Sequence, residues 1–227
     1  MMEKCNYRKD PHQDIDHVFR DLLPAHGMVE RPAQVELSHQ MLDTMLNGSI
    51  ALCDAGTGIG KTYAYLVAGV VFRRYRSRAG LPNQPLLIST SSIALQGAII
   101  HDYLPFLSKV MMADGMLDSP LRAVLRKGKS HYVCDARLMK RLQTANLDRK
   151  NPLAKAALLS MRDHLDLDMA PHLSGYDRER ICVPPTCDCG KTECRYLCYL
   201  DVCASERYAI QVCNHNLLLA DAIHQGS

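Results

Sequence analysis

The sequence predicts an α/β fold, a parallel sheet with helices on both faces, interrupted by a small, mainly helical, cysteine-rich insertion. Three observations predict it. A short apolar run, Ile50-Ala-Leu-Cys53, feeds a glycine-rich turn that ends in Gly60-Lys61-Thr62 and opens an apolar-rich helix, the strand–loop–helix order of a phosphate-binding loop. A second apolar run, Pro85-Leu-Leu-Ile-Ser-Thr90, reads as another buried strand, and strands joined by a helix of this length imply a right-handed parallel crossover. Finally, seven of the ten cysteines crowd between Cys182 and Cys213, a density that reads as metal ligation in a chain with no secretory signal.

The elements follow in order. Residues 14 to 23 place Ile15, Val18, Phe19, Leu22 and Leu23 on one helical stripe that Pro24 ends. Glu30-Arg-Pro-Ala-Gln34 leads into a second helix through Leu37, Met41, Met45 and Leu46, closed by Asn47-Gly48. Ile50 to Cys53 is expected as a short buried strand, with Cys53 a small buried hydrophobe. A helix then covers 62–76. Its basic end, Arg73-Arg-Tyr-Arg-Ser-Arg78, suits the negative pole of a helix dipole and also the touch of a nucleic acid. After the strand at 85–90 comes a helix from about Ser92 to Leu107, and Leu121 to Leu125 is a third strand candidate. Residues 135 to 180 are helical, polar and charged, with Leu138, Leu142, Leu158, Leu159 and Met161 as sparse apolar anchors. So thin a core calls for a staple. Ile210 and Val212 mark a strand that returns to the sheet.

The loop chemistry follows from residue size and charge. Gly56, Gly58 and Gly60 lack a Cβ, so successive N–H groups can approach phosphate oxygens. Thr57 and Ile59 fill the turn between them. Lys61 supplies a point charge for β- and γ-phosphates, and the Thr62 hydroxyl is placed to ligate Mg²⁺. Where the strict pattern has a first glycine, this sequence has Ala55.

With 227 residues the chain can hold one sizeable α/β core and a small inserted region. The net charge of +3 permits nucleic-acid binding without requiring it. The N-terminal residues have no apolar core of signal-peptide length and no run approaches a membrane span. A cytoplasmic protein with no membrane partner is expected.

Five separated segments resemble the iron–sulfur DNA helicases of superfamily 2, the XPD/DinG family. Glu30-Arg31-Pro-Ala-Gln34 is similar to the family's segment near the nucleotide base. Asp54-Ala-Gly-Thr-Gly-Ile-Gly-Lys-Thr62 is similar to its Walker A motif, in the Ala55 form common in superfamily 2. Ile88-Ser-Thr-Ser-Ser-Ile-Ala-Leu-Gln96 resembles motif Ia, which contacts single-stranded DNA, although Ser89, Thr90 and Ser92 equally suit helix capping. Gly128-Lys-Ser-His-Tyr-Val-Cys134 resembles the entry to the cluster domain, with His131 for the usual asparagine, and Val212-Cys-Asn-His-Asn-Leu-Leu218 resembles the segment at its end.

The resemblance implies a P-loop RecA-like domain that holds ATP and Mg²⁺ through Arg31, Gln34 and residues 55–62, with Lys61 and Thr62 catalytic. It divides the chain into an N-terminal helical segment (1–30), the first part of helicase domain 1 (31–127), an iron–sulfur insertion (128–203) and a return to domain 1 (204–227). Single-stranded DNA is the implied partner. The implied cluster is [4Fe–4S], held by Cys134, Cys187, Cys189 and Cys194, with Cys182 or Cys198 as alternatives for one of the middle pair. A zinc knuckle of Cys187, Cys189, Cys194 and Cys198 is the competing metal reading, and Cys203 and Cys213 are expected as buried thiols. The family's Asp-Glu-Ala-His motif and second RecA-like domain do not occur in 1–227. The expectation is therefore the front of a longer helicase that alone hydrolyses no appreciable ATP. The alternative is a stand-alone metal-binding nucleic-acid module with a vestigial P-loop.

Overall fold

A computed structural model of the chain describes residues 10–145, 147, 151–187 and 194–225. The chain divides into two compact units, one of residues up to Leu125 together with Glu206–Cys213, the other of Arg126–Ser205 together with the residues after Cys213.

The first unit is α/β. Helix α1 covers 11–25 and widens to a π-helical turn at His17–Leu22. Pro24 lies within its last turn and does not end it. Helix α2 is Pro32–Asn47, and α3 is Lys61–Arg78. Strand β1 (Leu86–Ser89) precedes a long helix, α4, over 93–113, again with a π-helical stretch, Ile99–Tyr103, at its middle. Strand β2 is Ala123–Leu125, and the chain returns through β3, Ile210–Cys213. The sheet order is β1-β3-β2, all parallel, with Leu86 and Ala123 both opposite Ile210. Central β3 is buried along its whole length, as a parallel strand covered on both faces must be.

On α3, Gly69 faces the side chain of Leu86 in β1. A Cβ on Gly69 would collide with Leu86 of β1. Leu66, Val67, Val70 and Val71 of α3 then join Ile15, Phe19 and Leu42 from the first two helices and Leu107 and Met111 from α4 in one apolar core.

The expected strand before the loop is absent. Residues 50–56 are irregular, with Ile50 94% and Leu52 98% exposed, and Cys53 is exposed, not buried. Their backbone forms no ladder with any described strand. An apolar run alone does not make a strand, because its N–H and C=O groups need a neighbour to pair with.

The second unit is mainly helical. It contains α5 (Asp135–Thr144), α6 (Pro152–Ser160), α7 (Gly175–Ile181), α8 (Arg195–Ala204) and α9 (His215–Gln225). A short antiparallel bridge, Tyr132 to Asp166 and Val133 to Cys182, anchors its start. Contrary to the expected thin core, Val133, Leu138, Leu158, Met161, Leu167, Leu173 and Ile181 form a buried cluster of their own. These residues are far apart in sequence and converge only through packing, so composition underestimates them. Among the described residues, no helix is long and apolar enough to cross a membrane.

Candidate functional site

In the first unit the glycine-rich loop is placed by α2 and α3. Gly58 and Gly60 take φ of 83° and 86°, the left-handed region that costs glycine nothing. Gly60 caps α3 with no side-chain hydrogen bond, and a Cβ there would land on the Gln34 amide.

Side chains hold the loop's carbonyls. Arg31 Nη1 donates to the Gly58 carbonyl at 2.6 Å, and Gln34 Nε2 to that of Gly60 at 2.7 Å. Lys61 Nζ donates to the carbonyls of Ala55 and Gly56, both at 2.8 Å. One turn further, buried Ser38 donates its hydroxyl to the Ala64 carbonyl at 3.0 Å and ties α2 to α3. The N–H groups are treated oppositely. Apart from the turn at Thr57–Gly58, no N–H from Ala55 through Thr62 donates to another group among the described residues. Backbone donors at a glycine-rich turn leading into a helix N-terminus can hold an anion. Gly56, Thr57, Gly58 and Lys61 are exposed, and Ala55, Ile59, Gly60 and Thr62 are half-buried, so the cradle opens to solvent.

Sequence reasoning brought Arg31 and Gln34 to this loop. Their part as braces of its carbonyls was not visible without the fold. At the other end of β1, Thr90 Oγ1 accepts from the Ser92 N–H and Ser92 Oγ from the Leu95 N–H, so both hydroxyls shape the start of α4.

In the second unit two predicted ligands stand at equivalent places. Cys134 precedes α5 and Cys194 precedes α8, and neither thiol caps its helix. The next residue in each case is charged, and these two pair. Arg195 Nε donates to both Asp135 oxygens, at 2.8 and 3.0 Å, and Nη2 to one of them at 2.5 Å. The pairing brings the two cysteine-bearing helix N-termini together. The Asp135 and Arg195 charges beside the cysteines were the available sequence signal for this, and sequence reasoning missed it.

Cys182 lies on the other face. It sits opposite Val133 in the antiparallel bridge, packs against the Leu138–Leu158 cluster, and its thiol donates to the Glu179 carbonyl at 3.4 Å. Cys134 packs instead with Tyr132 and Val183, beside Tyr196 and Tyr199. Alternation of side chains along a strand separates the two cysteines. Cys187 and Cys198 are exposed, Cys203 and Cys213 are buried as expected, and Cys189 lies outside the described residues. Among the described residues, no three His, Cys, Asp or Glu side chains gather as a metal-holding group.

The tyrosine cluster is buried at Tyr132 and partly buried at Tyr196 and Tyr199. Ring centroids of Tyr196 and Tyr199 lie 5.2 and 5.1 Å from that of Tyr132, and burial pushes all three phenols above their ordinary pKa. Burial likewise raises the Cys203 thiol. His131, the departure from the family pattern, pairs with Asp168 at 3.3 Å.

No protein-family model matches the chain. Curated relatives do. A 3'-5' exonuclease DinG of Bacillus subtilis is 30% identical over 144 residues, which is 63% of this chain and 14% of that protein. An ATP-dependent DNA helicase YoaA of Haemophilus influenzae is 30% identical over 129 residues, 57% of this chain and 18% of its own length. An ATP-dependent helicase DinG of Mycobacterium tuberculosis is 29% identical over 126 residues, again 18% of its length. The matched part is thus less than a fifth of each of these relatives. The resemblance to DinG-type helicases carried by the separate motifs is borne out as similarity over about half the chain.

Proposed function

We propose that this chain is the front part of an ATP-dependent DNA helicase of the DinG type, acting in the cytoplasm. The observation that carries the reading is the glycine-rich turn, with Gly58 and Gly60 in the left-handed region, at the uncapped head of α3. In this reading the unit with the parallel sheet is the first part of a RecA-like motor domain. The backbone of 56–62 receives the phosphates of ATP. Lys61 leaves the Ala55 and Gly56 carbonyls to reach the β- and γ-phosphates, and the Thr62 hydroxyl ligates Mg²⁺. Arg31 and Gln34 keep the loop's carbonyls turned away from the phosphates.

Single-stranded DNA follows motif Ia, where Ser89, Thr90 and Ser92 offer hydroxyl protons to the backbone. The acidic water-activating motif and the second RecA-like domain are supplied by further chain, as the much greater length of the relatives supports. In the full protein Lys61→Ala is expected to abolish DNA-stimulated ATP hydrolysis. Retained hydrolysis would overturn the assignment of the loop.

The second unit is read as the [4Fe–4S] insertion. Two of its expected ligands support the reading: Cys134 and Cys194 stand at two helix N-termini joined by the Asp135–Arg195 pair, beside the Tyr132 cluster. Cys187 and Cys189 complete the set in this reading, and Cys182, on the opposite face, does not. When bound, the cluster ties these segments together as a structural staple. Anaerobic purification followed by iron and sulfide counts tests this. One zinc and no labile sulfide would replace the cluster with the zinc alternative.

A further inference from the structure

In the first unit a cavity of about 300 Å³ lies where the sheet begins, between the second half of α3, the turn after α4 and the residues that lead into β2 and β3. Its charged residues are Arg73, Arg74, Arg122 and Arg207 against Asp118 and Glu206. Buried Val70 and Met116, with Leu117, supply an apolar wall. The glycine-rich loop is at the other end of α3, and the stretch from Lys61 to Arg74 spans about 20 Å of helix.

Arg74 is the anomaly among them. Its side chain is 20% exposed, yet its guanidinium hydrogen-bonds to no group among the described residues, and Nη1 is buried without a partner. The carboxylate oxygen within reach, Asp14 Oδ2, stands 3.7 Å from Nε and is already held by Arg78 at 3.0 Å. Burial, helped by the Arg78 charge, pushes the Arg74 guanidinium below its ordinary pKa against the pull of Asp14. A charge taken this far out of water is normally paired and hydrogen-bonded. Arg73 is different, because it donates to the Gln84 carbonyl and faces the charge of Glu206. Arg122 and Arg207 are exposed, and their side chains bond to nothing among the described residues. With Asp118 and Glu206 set against the four arginines, the cavity keeps an excess of two positive charges.

We propose that this cavity binds a small phosphomonoester, its phosphate on Arg74, Arg122 and Arg207 and its organic part on Val70, Met116 and Leu117. The excess charge matches the near-dianion that such an ester carries at neutral pH. Guanidinium forks suit phosphate oxygens, and the ester supplies the partner that Arg74 lacks. The volume stands at the small end for organic ligands, and the apolar wall gives a carbon-bearing group somewhere to lie that a bare ion would not use. The inference goes beyond the helicase reading and does not rest on it.

The test follows the backbone amides of the whole chain by NMR while glycerol 2-phosphate is added at constant ionic strength. Saturating shifts are expected at Leu117, Leu121, Arg207 and Ala209. The same shifts are expected in Lys61→Ala, which separates them from any filling of the glycine-rich loop. Arg74→Met is expected to weaken binding roughly tenfold without lowering the melting temperature, because replacing an unpaired buried charge by an apolar side chain strands no partner. Arg122→Gln with Arg207→Gln removes exposed side chains that have no bond to lose, and is expected to weaken binding about tenfold as well. Lys109→Gln, on the exposed side of α4 and outside the cavity, is expected to change nothing.

Shifts confined to Gly56–Thr62, or an affinity that neither the Arg74 variant nor the double variant changes, would overturn the inference. Sulfate and succinate are the second arm. Equal binding of either at the same amides would make this an unselective anion site and also overturn it. Loss of Lys61-dependent nucleotide binding alone would count against the helicase reading and not against the cavity.

Discussion

The two units keep their charges differently. In the first, the core is one continuous apolar mass from Ile15 to Val212 around a parallel sheet, and ion pairs lie among its helices, buried Asp14 meeting Arg78 at 3.0 Å and His17 meeting Asp21 at 2.8 Å and Asp114 at 3.0 Å. In the second, a smaller apolar cluster is ringed by ion pairs: Arg141 with Asp177, Arg195 with Asp135, and Asp168 with Lys127 at 2.8 Å, Arg178 at 2.8 Å and His131 at 3.3 Å. The first unit is stabilised mainly by area removed from water. Both carry ion pairs, and in the second a fully buried carboxylate, Asp177, holds its pair inside a smaller core.

The sharpest break in this comparison is Asp177→Ala. Asp177 is fully buried and accepts from Arg141 Nε and Ser174 Oγ, both at 2.7 Å. Its removal strands a largely buried guanidinium and is expected to cost about 3–5 kcal/mol. Hydrogen exchange should show protection lost in α5 and α7 and kept in β3. Equal truncations in the two cores come next. Leu107→Ala and Leu158→Ala each remove a fully buried side chain at about 3 kcal/mol. The second is expected to release amides of α5–α7, the first those of α3 and α4, and a common unfolding step for both would erase the distinction.

Acid should separate the units as well. Burial pushes Asp168 upward, but hydrogen bonds from Lys127, Arg178 and His131 outweigh it and hold the carboxyl below its ordinary value. A depressed pKa gives stability that is complete above the unfolded value of about 3.9 and is lost as pH falls below it. Melts of the second unit should therefore decline as pH drops below about 4, and Asp168→Asn should flatten that decline. The smallest expected effect is Ser92→Ala, which removes the cap on the Leu95 N–H at the start of α4 and should cost about 1 kcal/mol.

Much of the first unit was legible because its signals are local. The stripe of Ile15 to Leu23, the Asn47-Gly48 stop and the apolar runs at Leu86 and Ile210 each specify an element by periodicity or backbone demand. The run at Ile50 to Cys53 misled for the complementary reason: strandness needs a neighbour, and none pairs with it among the described strands. The second unit was less legible. Leu138, Leu158 and Ile181 meet only after three helices pack, and Asp135 and Arg195 are 60 residues apart before they pair. At the glycine-rich loop the positive-φ glycines, Gly58 and Gly60, were readable from the sequence. That Arg31, Gln34 and Lys61 would hold its carbonyls was a property of the fold.

The central claim is that residues 55–62 form a nucleotide cradle with open N–H groups. Its most direct test is titration of the whole chain with ATP and Mg²⁺ while the backbone amides of the loop are followed by NMR. Shifts concentrated at Gly56 to Thr62, lost in Lys61→Ala, are the predicted result. Shifts spread elsewhere, or the same shifts in the lysine variant, would contradict it.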